Sequence, residues 1–155
     1  RELIQASSPS IIRGNGSEII ALCKKDQRTK GVDSTNASDQ AIDSAKSLAQ
    51  EFNCVVCISG EKDYIVSQDA IIQVKNGHAM MPRVTGLGCT ATALCGAFAA
   101  VNQEFDMAAA HAMAVMGIAG EMAGQNAPGP GTLQVNFIDA LYQLSETHIK
   151  ELFND

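Results

Sequence analysis

Apolar residues follow two rhythms along this chain: short unbroken runs in the first half, helical spacing in the second. Ser10-Ile11-Ile12-Arg13 reads as a short buried strand. Asn15-Gly16-Ser17-Glu18 then carries the signature of a capping box, with Asn15 as N-cap and Glu18 three residues on, and opens a helix through Ile19-Ile20-Ala21-Leu22. The polar stretch from Lys24 to Asn36 predicts an exposed loop. Ala37, Ala41, Ala45, Leu48, Ala49 and Phe52 then recur at helical spacing, their small size predicting close packing on a sheet. Cys54-Val55-Val56-Cys57-Ile58 reads as a buried strand of the parallel type. Ser59-Gly60-Glu61-Lys62 is the turn after it, followed by strands at Tyr64–Val66 and Ala70–Val74 and a loop through Asn76-Gly77. Three helices are predicted beyond that, from about Cys89 to Val101, Met107 to Gly124 and Leu133 to Phe153. Asn126-Ala127-Pro128-Gly129-Pro130-Gly131 separates the last two as a rigid, exposed bend. Strands alternating with helices, then a helical tail, predict an α/β sandwich with a mostly parallel sheet.

Composition narrows what such a fold can do. The 155 residues suit one domain, and with 46% hydrophobic and 18% charged residues the chain is globular. A net charge of −6 argues against a broad nucleic-acid or membrane surface. The run Ala112–Gly120 is well short of the ~20 residues of a membrane span, and no secretory leader is recognisable. Five cysteines without framework spacing point to a reducing compartment. The sequons at Asn15 and Asn36 are then coincidences of sequence.

The candidate chemistry starts from Val84-Thr85-Gly86-Leu87-Gly88-Cys89-Thr90, which runs into an Ala-rich helix former. Two glycines one residue apart let backbone approach a bulky group, and a helix opening there aims its first amides and its positive dipole end at one spot. That is an anion site, and specifically a phosphate site; a close helix–strand turn would also require the glycines. Cys89 falls on the first turn, where the same field favours a thiolate.

Arg13-Gly14-Asn15 puts an arginine at the carboxyl end of a strand, where open α/β sheets bind ligands. Arg13 suits a phosphate, and Glu18 suits Mg2+ or, equally, only its own helix cap. Ser59-Gly60-Glu61 falls on the same predicted sheet edge, as does the glycine pair, so three turns point to one cleft. Other motifs carry less. Cys54-x-x-Cys57 lies in a strand pattern and not at a helix start, so two small buried residues are expected. His78, His111 and His148 share no metal-ligand spacing. Met107, Met113, Met116 and Met122 read as core or subunit interface. No Walker-type loop is present, and Gly86-x-Gly88 lacks a dinucleotide-fold context.

Seven motifs, taken in order, resemble the hydroxyethylthiazole kinase family of the ribokinase-like superfamily. They are Ile12-Arg13-Gly14-Asn15-x-Ser17-Glu18-Ile19, Gly31-Val32-Asp33-Ser34, Ser59-Gly60-Glu61-x-Asp63, Asn76-Gly77-His78-x-Met80-Met81, Val84-Thr85-Gly86-x-Gly88-Cys89, Ala119-Gly120-Glu121 and Gly129-Pro130-Gly131-Thr132. Cysteine where ribokinase relatives carry Asp is typical of the thiazole kinases. The resemblance implies a ribokinase-like three-layer sandwich of which residues 1–155 are the C-terminal part of a single domain. It also implies transfer of the ATP γ-phosphoryl group to the hydroxyl of 5-(2-hydroxyethyl)-4-methylthiazole, in thiamin salvage, in a cytoplasmic homotrimer.

By the same resemblance, Gly86, Leu87, Gly88 and Cys89 form the anion hole, with Cys89 beside the substrate hydroxyl as weak base or positioning group. Gly86 touches the thiazole, Arg13 and Ser59 bind ATP, and Glu18 belongs to the Mg2+ shell. Leu87 departs from a position that is often polar, and Ser59 replaces a common Thr while keeping the hydroxyl. Family members extend further at the N-terminus, and that part is expected to supply sheet strands, much of the thiazole pocket and an Asp-Pro-Val-Gly segment. Two other readings stand beside this one: a ribokinase-like kinase for another small alcohol, and a non-catalytic nucleotide-binding or oligomerisation module.

Overall fold

A computed structural model describes residues 1–24 and 37–153. The predicted polar loop and the Gly31-Val32-Asp33-Ser34 motif lie outside the described residues. The chain divides into two compact units, Arg1–Gln73 with Glu104–Asp106, and Val74–Gln103 with Met107–Asp155.

The first unit runs α1 (Glu2–Ser7), β1 (Ile11–Asn15), α2 (Gly16–Lys24), α3 (Ala37–Phe52), β2 (Val55–Ser59), β3 (Asp63–Val66) and β4 (Ile71–Val74), whose last residue opens the second unit. The strands lie in the order β1-β2-β3-β4. β1 and β2 pair in parallel, with Arg13 beside Cys57 and Asn15 beside Ser59. β2 and β3 pair antiparallel, with Ile58 beside Tyr64. The α/β class is as expected, while the described sheet is mixed and not mostly parallel. The three-residue turn Gly60–Lys62 decides this, because a parallel partner needs a crossover of a dozen residues or more.

Helix α3 supplies the core of this unit. Ala41, Ala45, Leu48 and Ala49 recur at helical spacing and are buried with Ile12, Ile19, Val56, Ile58 and Val66. Cys54 lies in that cluster and Cys57 is fully buried outside it, and no disulfide joins any of the five cysteines. Burial pushes the Cys54 thiol up, as suits a packing residue. Helix α1 is not anticipated by the hydrophobic pattern because it buries no residue.

The second unit contains a 3-10 turn (Met81–Arg83), α4 (Leu87–Val101), α5 (Phe105–Gly124), α6 (Pro130–Gln143) and α7 (Glu146–Leu152). Helix α5 is apolar most of the way round, and Ala108, Ala112, Met113, Met116, Ile118 and Ala119 are buried along it. Met107 and His111 stand exposed at its start.

Two predictions fail in the helical tail. The single helix from Leu133 to Phe153 is broken at Leu144 and Ser145, where the Ser145 side chain accepts from the His148 amide and caps α7. Gly129-Pro130-Gly131 is no free-standing bend. Pro130 and Gly131 form the first turn of α6, with Gly129 at its N-cap, because a proline at the first helical position has no amide to leave unsatisfied. No helix among the described residues is long and apolar enough to cross a membrane.

Candidate active site

In the first unit the candidate residues gather where β1 and β2 end together. The half-buried Arg13 guanidinium donates from Nη2 to Ser59 Oγ across the parallel pair. The capping box forms as predicted. Asn15 Oδ1 accepts from the Glu18 amide at 2.9 Å, and Glu18 Oε2 accepts from the Asn15 amide at 2.7 Å. Gly14 makes this closeness possible, since a Cβ there would stand 3.1 Å from Glu18 Oε2 and 3.2 Å from Ile19 Cδ1.

Sequence reasoning assigned no role to Asp63, although it lies in one of the quoted motifs. Asp63 is buried, and its Oδ1 accepts from the Gly60 amide at 2.9 Å, closing the turn that follows Ser59. Burial raises its pKa from 3.8 to about 6, against opposing pulls from the Gly60 amide and the Arg13 charge. A buried acid in a turn looks on paper like any solvated turn residue. Only the spacing from Ser59, which folds it back across the strand end, could have marked it.

In the second unit the chain enters α4 through Gly86, whose φ of 94° lies in the left-handed region that favours glycine. No side chain caps this helix, and no acidic residue sits in its first turn. The helix therefore opens on backbone alone, in a field that no carboxylate of that turn offsets. Cys89 is exposed on this turn, Gly88 is half-buried and Leu87 is buried. The Leu87 side chain thus belongs to the core, and what Leu87 can offer a ligand is its amide. Thr90 caps inward, its hydroxyl and amide both reaching the Gly86 carbonyl.

A row of glycines on α5 fixes the approach to this turn. A Cβ on Gly117 would fall on the Asn76 backbone, one on Gly120 on Met81 Sδ, and one on Gly124 on the His78 ring, each inside the 3.0 Å that real Cβ contacts keep. Glu121, on the same helix, accepts from the Gly77 amide at 2.8 Å and from Asn76 Nδ2 at 3.0 Å. Asn76 Nδ2 also donates to the Leu152 carbonyl at 2.6 Å. The spacing of 117, 120 and 124 is that of one helix face, and it seats residues 76–81, which lead through buried Val84 to Gly86.

The hydroxyethylthiazole kinase family model matches residues 1–147. The chain belongs to the hydroxyethylthiazole kinase family. It is 56% identical to a hydroxyethylthiazole kinase of Syntrophus aciditrophicus over 96% of its length and 55% of the relative's. To one of Leptospira biflexa it is 50% identical over 99% of its length and 58% of the relative's. A structure of a hydroxyethylthiazole kinase protein from Pyrococcus horikoshii OT3 superposes with a TM-score of 0.81 at 33% identity, over 94% of this chain and 53% of that one. The fold is therefore that family's, and the chain spans about half the length of the relatives it matches.

Proposed function

We propose that residues 1–155 are the C-terminal part of a single ribokinase-like kinase domain that phosphorylates 5-(2-hydroxyethyl)-4-methylthiazole from ATP in thiamin salvage. The observation that carries this reading is the start of α4, a left-handed glycine, no side-chain cap and no acid on the first turn, in a chain of the thiazole kinase family. Phosphoryl transfer asks the protein for position and charge stabilisation more than for covalent chemistry. The substrate hydroxyl oxygen bonds to the γ-phosphorus as the bond to the β,γ-bridging oxygen breaks. Negative charge on the moving group meets the amides of Leu87, Gly88 and Cys89, while Gly86 lies against the thiazole. The hydroxyl proton leaves to Cys89 or to water, with the amides as the larger contribution and the thiol as the smaller.

Arg13 and Ser59 hold the nucleotide. Among the described residues no three His, Cys, Asp or Glu side chains form a metal cluster. Mg2+ is commonly held by one or two carboxylates with water and phosphate oxygens. Glu18, with Oε2 bonded to the Asn15 amide, fits that role through water. Bound there, Mg2+ would neutralise phosphate charge. Val135, Ile138 and Tyr142 stand exposed at helical spacing on α6, an apolar stripe suited to burial against further protein surface in the proposed homotrimer. Five thiols without a disulfide support a cytoplasmic setting.

The test is ATP- and Mg2+-dependent phosphorylation of hydroxyethylthiazole by the chain, alone and mixed with the N-terminal part of a family member. Thiazole phosphate formed in the mixture is the expected result. A folded mixture that binds ATP and never turns over would instead support the binding-module reading.

A further inference from the structure

The strand-end turn of the first unit holds a carboxylate that the proposed chemistry does not use. Asp63 is 7% exposed, at the first position of β3. Tyr64 pairs with Ile58, so Asp63 and Ser59 face each other across the turn. One of its oxygens holds the Gly60 amide, and the guanidinium whose field it feels is Arg13, which itself donates to Ser59 Oγ. Arg13, Ser59, Gly60 and Asp63 are thus one polar unit built from two strand ends and a turn. A guanidinium on a half-buried strand has several rotamers open to it, and the Ser59 hydroxyl it donates to, on the turn that Asp63 closes, together with the buried anion whose field reaches it, selects among them. A turn glycine whose amide is already held cannot swing its peptide away.

We infer that Asp63 is a positioning residue for nucleotide binding: its carboxylate fixes Arg13 and the Ser59-Gly60 peptide in the arrangement that receives ATP phosphates. This rests on the proposal that Arg13 and Ser59 bind the nucleotide. Two effects of the charge oppose each other. As an anion near phosphate it repels the ligand, and as an anchor for Arg13 it prepares the site. The buried amide contact favours the second, because an acid kept only for surface charge has no reason to be enclosed.

The experiment is a double-mutant cycle read by ADP affinity in calorimetry, using the chain, Asp63→Asn, Arg13→Ala and the double variant, with melting temperature followed in parallel. Asp63→Asn keeps an acceptor for the Gly60 amide and removes only the charge. The expected result is about tenfold weaker ADP binding for Asp63→Asn with no loss of melting temperature, and no further loss when it is added to Arg13→Ala. Unchanged or tighter ADP binding by Asp63→Asn, with the parent binding normally, overturns the positioning role alone. Additive losses in the cycle overturn it too, since the carboxylate would then act without Arg13. A folded parent that binds no ADP overturns the nucleotide reading itself, and the inference with it.

Discussion

The two candidate regions of this chain are built on opposite principles. The strand-end turn of the first unit is a side-chain device in which Arg13, Ser59 and Asp63 supply charge and hydrogen bonds from named functional groups. The start of α4 is a backbone device. There Leu87 turns its side chain into the core, and glycines stand on either side of it. The first kind can be retuned by pH and by conservative substitution. The second tolerates changes of side chain and depends on conformation. With its side chain buried, Leu87 can offer a ligand only its backbone, and a backbone donor does not need a particular side chain.

The sharpest way to break that contrast is Gly86→Ala. No atom lies within 4 Å of a Cβ placed there, so the cost is purely that of a φ of 94°, about 1–2 kcal/mol for an L-residue. If the turn relaxes, the first amides of α4 turn away. In a complemented enzyme, kcat is expected to fall about 10²–10³-fold, the size of effect seen when one such donor is lost. A variant that keeps full activity would show that the conformation of this turn is not what matters.

The second prediction concerns the side-chain device. Asp63 has its folded pKa raised from 3.8 to about 6, so the folded state holds a proton that the unfolded state has released over that interval. Stability from this group is full below pH ~4 and is lost as pH rises towards 6, in total about 3 kcal/mol. Asp63→Asn is therefore expected to melt above the parent at pH 7.5 and to lose this part of the difference at pH 4. Urea unfolding at the two pH values measures it. An Asp63→Asn protein less stable than the parent at pH 7.5 would contradict the assignment.

A smaller effect is expected from Cys89→Ala, about 10–100-fold in kcat with little change in stability, since the proposed mechanism gives the exposed thiol the smaller part. Steady-state kinetics of the complemented enzyme decides it. A loss beyond about 10⁴-fold would make the thiol the main agent.

What could be read from the sequence divides along similar physical lines. The Asn15–Glu18 capping box was legible because both partners lie within one helical turn, so local spacing determines the contact. The Gly86 helix start was legible because two glycines run straight into an Ala-rich helix former, which marks where the helix opens whatever the glycines serve. Asp63 was not, because burial is a property of the assembled unit and the residue sits among turn residues that are ordinarily wet. The break between α6 and α7 was hidden by apolar spacing that continues through Leu144 and Ile149, and the only local mark is the Ser145 cap. Gly117, Gly120 and Gly124 carry no mark in the apolar pattern that predicts their helix. They are the face on which residues 76–81 rest, and only the tertiary partner gives their spacing meaning.

The central claim is that the amides opening α4 receive the transferred phosphoryl group, and amide NMR tests it directly. An isotope-labelled chain, complemented by the family's N-terminal part, is titrated with hydroxyethylthiazole phosphate. Downfield shifts of the amides of Leu87, Gly88 and Cys89, abolished by Gly86→Ala, are the predicted result. Saturable binding that leaves those three amides unmoved would contradict the account.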